Sequence, residues 1–111
     1  MWHTDQNNVQ RTINAVTALS SEFSKTQYRN VVTSIQPLNE PAGWYSDELL
    51  QTAKEFYVTT YNYARYHNTQ YPNALLYALH DAFQPLTTWR DFLSWKYGYE
   101  YVAFDTHIYT M

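Results

Sequence analysis

The sequence predicts an α/β fold in which helices alternate with the short strands of one parallel sheet. Two long segments repeat apolar residues at three- and four-residue steps, the spacing of amphipathic helices. Three short apolar runs, the first rich in β-branched residues, lie between or after these segments and have the length and composition of strands. Strands that alternate with helices form right-handed crossover units and a parallel sheet. The predicted order is therefore α-β-α-β-α-β.

The first helix is predicted from Asn8 to about Lys25, with Asn7 or Asn8 as its N-cap. Its apolar stripe consists of Val9, Ile13, Val16, Leu19 and Phe23. The run 30–38 follows, and its β-branched residues predict a strand that is buried on both faces. Because Pro37 removes a ladder hydrogen bond, we expect this strand to be bulged or locally unpaired there.

The second helix is predicted to begin after Ser46, a favourable N-cap, with Asp47 and Glu48 in its first turn. Its apolar face consists of Leu49, Leu50, Ala53, Phe56, Tyr57, Tyr61 and Ala64. Turn-forming residues then predict a loop at 67–73, before a second strand at 74–80.

A short third helix is predicted from Pro85 to Ser94, because proline is tolerated at a helix start. Its inward-facing side chains are expected to be Trp89, Phe92 and Leu93. The run 100–109 is predicted as the third strand, and it turns polar at its carboxyl end.

Composition excludes several classes of function. The chain has 111 residues, about one small domain, and a formal net charge of -3. No cluster of Lys and Arg supplies the basic surface that a nucleic acid requires. No apolar run approaches the roughly 18 residues of a membrane span. The absence of cysteine excludes disulfides and thiol chemistry.

Each predicted strand ends in residues capable of chemistry. Asn39 and Glu40 follow the first strand, the pair 80–81 (His-Asp) follows the second, and the third ends in Asp105, His107 and Tyr109. Parallel α/β folds place their functional residues at the carboxyl ends of the strands. The three strand ends together therefore predict a functional site at one edge of the sheet.

Glu40 is the candidate proton donor. A carboxylic acid donates a proton near neutral pH when burial or a neighbouring negative charge raises its pKa. Pro41 biases Glu40 toward an extended backbone, and the amide of Asn39 can donate to and accept from a sugar hydroxyl. The alternative is a plain turn at Asn39 and Pro41, with Glu40 facing water.

His107 and Tyr109 lie two residues apart, so on a strand their side chains leave the same face. They either line the site or form a buried pair satisfied by neighbours. His80 and Asp81 either hydrogen-bond to each other or cap the next helix, and the structural interpretation is preferred.

Two aromatic residues just past strand ends, Trp44 and Phe83, either stack on sugar faces or pack in the core. The sequence lacks the residue patterns that other kinds of active site require. The four His show no zinc spacing, two Gly allow no phosphate loop, and no nucleophilic-serine elbow is present. We therefore expect neither a metal nor another cofactor.

Three segments resemble consecutive blocks of the fungal exo-β-1,3-glucanases of glycoside hydrolase family 5. They are VVTSIQPLNEP, LHDAFQPLTTWRDFL and YVAFDTHIYTM, and they occur in the order that this family has. The stretch NNVQRTINAVTALSSEFS is similar to the helix that precedes strand four in the family. The resemblance implies a (β/α)8 TIM barrel, of which residues 1–111 would supply about three βα units, from strand four to strand six.

The resemblance also implies roles for individual residues. Glu40 would be the general acid/base of a retaining hydrolase, and Asn39 would contact the 2-hydroxyl of the sugar. His107 and Tyr109 would line the same subsite, with Tyr109 touching the nucleophile. Phe83 would stack on the incoming glucan at the pocket entrance. The implied substrate is a β-glucan of the cell wall, and a longer, secreted or wall-bound monomer would hydrolyse it.

One feature of the family has no counterpart in these residues. Retaining hydrolysis needs a second carboxylate about 5 Å from the first, and the family places it on strand seven. Among the candidates here, Glu48 and Glu55 fall on the second helix, Glu100 lies at the wrong end of a strand, and the resemblance gives Asp105 no such role. We therefore expect the chain to be a fragment of a catalytic domain and to be inactive and poorly stable by itself.

Two alternatives remain open at this point. The chain could be a non-catalytic remnant that binds glucan through Trp44, Phe83 and Tyr109. It could also be an independent small α/β scaffold whose likeness to the family is accidental, although three ordered blocks would then have to coincide.

Overall fold

A computed structural model describes residues 1–67 and 75–110. Its helices are α1 (Gln6–Phe23) and α2 (Asp47–His67), and its strands are β1 (Ser34–Ile35), β2 (Leu76–His80) and β3 (Val102–Asp105). Short 3₁₀ turns occur at Trp2–Thr4, Thr26–Tyr28, Leu86–Trp89 and Trp95–Tyr97. The α/β class is therefore confirmed.

The three strands form one parallel sheet in the order β1-β2-β3. Ile35 pairs with Tyr77 across β1 and β2, and His80 pairs with Asp105 at the far end of β2 and β3. This register brings the carboxyl ends of the last two strands to the same edge. The edge is where chemistry is expected in a parallel sheet.

The core lies between the two helices and the inner face of β2. Helix α1 contributes Val9, Ile13 and Val16, whereas Leu19, also expected in its stripe, is half exposed. Helix α2 contributes Leu49, Ala53, Phe56, Tyr57, Tyr61 and Ala64. The predicted apolar faces of both helices are thus largely correct, because the 3.6-residue period dictates which side chains meet the sheet.

The sequence predicted the start of α2 correctly but not the start of α1. Helix α1 begins two residues earlier than predicted, because the carboxylate of Asp5, and not Asn7 or Asn8, accepts from the backbone N–H of Asn7 at 2.9 Å. The prediction for α2 is correct, since Ser46 Oγ accepts from the N–H of Leu49 at 3.1 Å. Both caps satisfy donors that a helix leaves unpaired at its first turn.

The first strand is much shorter than predicted. Only Ser34 and Ile35 of the run 30–38 pair with β2, and Ser34 is exposed, so burial on both faces is wrong. Within the described residues β1 lies at the sheet edge and has one neighbour. Pro37 has no N–H to donate, which explains why the pairing stops just before it.

The third helix is the second wrong assignment. Where an α-helix was expected at 85–94, the chain makes a 3₁₀ turn that ends at Arg90, whose ψ of 128° is extended. Asp91 and Leu93 then adopt positive φ values of 62° and 44°. Trp89 and Leu93 are nevertheless buried as predicted, whereas Phe92 is only partly buried. The indole N–H of Trp89 donates to the carbonyl of Asp81 at 2.9 Å, which anchors this ring.

The last two strands occupy shorter ranges than predicted. Strand β2 spans Leu76–His80, inside the predicted 74–80. Strand β3 spans Val102–Asp105, so His107 and Tyr109 lie beyond it and not on it. The predicted loop at 67–73 falls, except for its first residue, outside the described residues. Within the described residues, no helix has the length and apolar character needed to cross a bilayer.

Candidate active site

Four polar side chains meet at the carboxyl edge of the sheet, and the imidazole of His107 lies at their centre. Its Nδ1 is 2.6 Å from Glu40 Oε1, and its Nε2 is 3.1 Å from Asp105 Oδ2. The hydroxyl of Tyr109 also donates to Glu40 Oε1. The structure therefore brings together Glu40, His107 and Tyr109, residues that are up to 69 positions apart.

His107 and Tyr109 both contact Glu40, as expected, but the reason predicted for this arrangement is wrong. His107 and Tyr109 were expected to share a face because of strand alternation, but β3 ends at Asp105. The segment that follows leaves the sheet and crosses toward the loop that carries Glu40. Thr106 fixes this exit, because its hydroxyl donates to Asp81 Oδ2 at 2.8 Å.

Asp105 links the site to the first strand. Its Oδ2 accepts from Gln36 Nε2 at 2.9 Å, in addition to facing His107. Gln36 follows directly after β1, so this contact joins both edge strands of the sheet. Because the imidazole of His107 separates Asp105 from Glu40, these two carboxylates are not arranged as a pair around a substrate.

The two carboxylates beside His107 favour the cationic form of its ring. The hydrogen bond to Glu40, followed by that to Asp105, raises the pKa of His107 above its ordinary value of 6.5. A doubly protonated ring donates from both nitrogens, which matches two carboxylate acceptors. The geometry and the direction of the pKa shift thus both favour a protonated imidazole.

The pKa of Glu40 moves in the direction opposite to the predicted one. The hydrogen bond from Tyr109, and then that from His107, lowers it below its ordinary value of 4.5. A side chain about one third exposed receives too little burial to offset these donors. In this arrangement Glu40 is a carboxylate near neutral pH, whereas a proton donor needs a raised pKa.

The backbone around the site is strained. Glu40 has a φ of 46°, so the predicted extended conformation before Pro41 is wrong. Ala82 and Phe83 have φ values of 55° and 56°. Such left-handed conformations cost side-chain-bearing residues of order 1–3 kcal/mol and tend to cluster at functional sites. This strain was not apparent from the sequence.

The turn after β2 explains how the strain at Ala82 and Phe83 is maintained. His80 Nδ1 accepts from the N–H of Ala82, and Asp81 Oδ1 accepts from the N–H of Phe83, both at 2.9 Å. The predicted structural role of His80 and Asp81 is therefore found, although they organise a turn and not a helix cap. His80 Nδ1 and Asp81 Oδ1 are 3.5 Å apart.

The other predicted site residues, Asn39 and Phe83, lie on the loops that follow the first two strands. Asn39 is exposed beside Glu40, and Phe83 packs its ring against His80 at 4.9 Å between centroids. Trp44 is 69% exposed, so a role in the core is excluded for it. The role of each side chain toward a sugar stays a prediction. A cavity of about 620 Å³ lies elsewhere, between the 3₁₀ turns and β3, where Trp89, Phe92 and Phe104 contribute to its lining.

The ends of β2 and β3 meet at one edge of the sheet, so His80 lies beside the site, as its position at a strand end predicted. Glu40, His80 and His107 each place one possible ligand atom within 4.8 Å of the other two. The rings of His80 and His107 meet edge to face, with 4.4 Å between centroids. The register of His80 with Asp105 accounts for this closeness, whereas the ring contact itself could not be predicted from the sequence.

The chain is similar to fungal glucan 1,3-beta-glucosidases. It is 37% identical to that of Blumeria graminis over 102 residues, which are 92% of this chain and 22% of the relative. It is 34% identical to that of Schwanniomyces occidentalis over 103 residues, 93% of this chain and 23% of the relative. It is 30% identical to glucan 1,3-beta-glucosidase I/II of Saccharomyces cerevisiae over 105 residues, 95% of this chain and 22% of the relative.

These matches confirm the resemblance drawn from the three sequence blocks. The chain spans about a fifth of the length of the curated relatives that it matches. No protein-family model matches it.

Proposed function

We propose that this chain, a relative of fungal glucan 1,3-beta-glucosidases over about a fifth of their length, contributes the acid/base half of a retaining glycoside hydrolase site. Residues 1–111 would then be about three βα units of a (β/α)8 barrel. The substrate would be a β-glucan, hydrolysed in the cell wall or outside the cell by a longer protein. Names of the matched relatives support the reaction class.

One observation carries the proposal: Glu40, His107 and Tyr109 meet at the carboxyl edge of a parallel sheet. Catalytic side chains of barrel enzymes lie at this edge. Glu40 would protonate the leaving oxygen and later accept a proton from water. Asn39 would bind the 2-hydroxyl of the sugar, and Phe83 would stack on the glucan.

The lowered pKa of Glu40 gives His107 and Tyr109 a specific part in this proposal. Both side chains donate to the same oxygen, Oε1, and so favour the carboxylate. Donation of a proton by Glu40 requires that these donors turn toward other acceptors or that a second carboxylate approach, since either change raises its pKa. A sugar hydroxyl and the nucleophile of the mechanism are both suitable acceptors for Tyr109.

The experiment replaces the corresponding segment of the Blumeria graminis relative with this chain. We expect the chimaera to release glucose from laminarin, and Glu40→Gln to lower its rate about 100-fold or more, the usual contribution of general acid catalysis. The loss should be smaller on a dinitrophenyl glucoside, whose leaving group needs no proton. The 111-residue chain alone should release no glucose, because one carboxylate cannot complete the mechanism.

Glu48→Gln is the matched control, because Glu48 is exposed in the first turn of α2. It should leave the chimaera's activity unchanged. A Glu40→Gln chimaera that hydrolyses laminarin as fast as the control would contradict the proposal.

A second function is supported by the exposed aromatic side chains at the site. Trp44, Phe83 and Tyr109 are all exposed, which suits glucan binding without hydrolysis. Laminarioligosaccharides should then quench or enhance tryptophan fluorescence of the 111-residue chain, and Trp44→Ala should remove the effect. Binding without hydrolysis in the chimaera would favour this function over the first.

A further inference from the structure

The imidazole of His80 is fully buried at the end of β2, next to the site. Its Nδ1 accepts from the N–H of Ala82 at 2.9 Å, so the proton of the neutral ring lies on Nε2. This Nε2 is buried and has no hydrogen-bond partner among the described residues. Buried polar atoms are seldom left unpaired, so the position requires an explanation.

A metal site is the first explanation that the neighbours suggest. Glu40, His80 and His107 form the donor set of two imidazoles and one carboxylate that zinc accepts. However, a histidine that binds a metal through Nε2 normally carries its proton on Nδ1, where it donates to another group. In His80 that nitrogen already accepts from Ala82. The fixed tautomer therefore argues against a cation at this point.

The ring contacts of His80 indicate instead a role for the buried ring as a whole. Its ring meets that of His107 at 86° with 4.4 Å between centroids, and that of Phe83 at 64° with 4.9 Å. Edge-to-face contacts favour one relative orientation of two rings. His107 can reach both Glu40 and Asp105 only when its ring plane contains the line between them, so a rigid neighbour on one side restricts it.

We propose that His80 is a positioning residue, whose buried, neutral ring holds the imidazole of His107 in the plane where Nδ1 faces Glu40 and Nε2 faces Asp105. Its link to hydrolysis rests on the function proposed above, whereas the orientation of His107 does not depend on it.

The charges around His80 are consistent with a neutral ring. Burial is the largest cause that lowers its pKa, and the nearby cation His107 lowers it further. The carboxylates Asp81, Asp105 and Glu40 act in the opposite direction. Asp81 is also hydrogen-bonded to Thr106, Asp105 to Gln36, and Glu40 to Tyr109. A neutral ring avoids placing two cations in contact.

The test is a pH titration of the imidazole ¹⁵N and ¹H resonances of His107 in the 111-residue chain. His80→Phe keeps a flat ring but removes both nitrogens. His80→Asn keeps an acceptor for the N–H of Ala82 but removes the ring, and His80→Gln is a second ringless variant. Circular dichroism verifies that each variant folds.

We expect His107 to titrate above its ordinary pKa in the unsubstituted chain and in His80→Phe. In His80→Asn and His80→Gln its pKa should be lower by about half a pH unit or more, because a freely rotating ring shares less time with its carboxylates. His3→Asn is the matched control, since His3 is also a buried histidine with an edge-to-face neighbour, Tyr45. It should leave His107 unchanged.

Three results would overturn the proposal. The first is an unchanged His107 pKa in a folded ringless variant. The second is a pKa lowered as much by His80→Phe as by His80→Asn, which would assign the effect to nitrogen and not to the ring. The third is an unsubstituted chain in which His107 titrates at its ordinary value. None of these results depends on hydrolysis, so a failed glucanase assay leaves the titration decisive.

Discussion

The helical side of the sheet is almost closed to solvent, whereas the carboxyl edge of the sheet is open to it. Phe56, Tyr57, Tyr77 and Leu79 are at most 1% exposed between the helices and β2, whereas Tyr109 at the edge is 71% exposed. On the helical side Tyr57 Oη donates to the carbonyl of His80 at 3.1 Å, whereas the buried Ser20 Oγ has no partner among the described residues. At the edge, charged side chains pair with one another and remain partly in water. The interior therefore supplies stability, and the edge supplies reactive groups.

His80 and Asp81 join the two regions. His80 is buried in the core, and its ring also contacts that of His107 at the edge. Asp81 accepts through its carbonyl from the buried indole of Trp89 and through its carboxylate from Thr106 at the edge. The positions of the reactive groups therefore depend on a rigid turn anchored in the core.

The largest expected effect is on core packing. Leu79→Ala should lower the free energy of unfolding by about 2–5 kcal/mol, because it leaves a cavity beneath α2. Ile108→Ala, at a side chain that is 83% exposed, should change it by no more than about 0.5 kcal/mol. Urea denaturation followed by circular dichroism measures both. Equal losses in the two variants would mean that the apparent core does not hold the chain together.

The next effect lies at the contact between the two loops that carry the site. A Cβ on Gly43 would lie 2.8 Å from both the Cβ and the carbonyl oxygen of Ala82. Gly43→Ala should therefore cost about 1–3 kcal/mol of unfolding free energy through overpacking. Ala82→Gly removes one of the two clashes and relieves a φ of 55°.

The double variant Gly43→Ala/Ala82→Gly should recover part of this loss, with a coupling energy of about 0.5–3 kcal/mol. Strict additivity of the two substitutions in urea denaturation would show that these loops do not meet. Gly98→Ala is the steric control, because no atom lies within 4 Å of its added Cβ, although its φ of 85° still makes the substitution strained.

The smallest expected effect is the pH dependence that His107 and Glu40 give to the free energy of unfolding. The pKa of His107 is raised from 6.5, so its contribution is complete below that pH and is lost as pH rises through the raised value. The pKa of Glu40 is lowered from 4.5, so its contribution is complete above that pH and is lost as pH falls through the lowered value. The pair is therefore most stabilising between pH 4.5 and 6.5.

The difference in unfolding free energy between the unsubstituted chain and Glu40→Gln should be largest in that window. It should shrink toward both acid and alkaline pH. Glu48→Gln, on the exposed face of α2, should give a difference that does not follow this profile. A Glu40→Gln difference that is flat from acid to alkaline pH would show that Glu40 and His107 are not paired.

The class of fold, the faces of both helices and the strand ends that carry polar groups were all predictable from the amino-acid order. Those features follow from local periods, since a 3.6-residue repeat selects one helix face and a run of apolar residues selects a strand. Ser46 was recognisable as a cap for the same reason: its oxygen satisfies an N–H only three residues away.

Where the strands end, how Glu40 is charged and why His107 reaches it became apparent only in the folded chain. The strand lengths depend on available partners, and Pro37 and the sheet edge limit those of β1. The charge of Glu40 depends on donors 67 and 69 residues away along the chain. Local pattern carries no information on contacts at such distances, because they arise from the register of β2 with β3 and from the strained turns around Glu40 and Ala82.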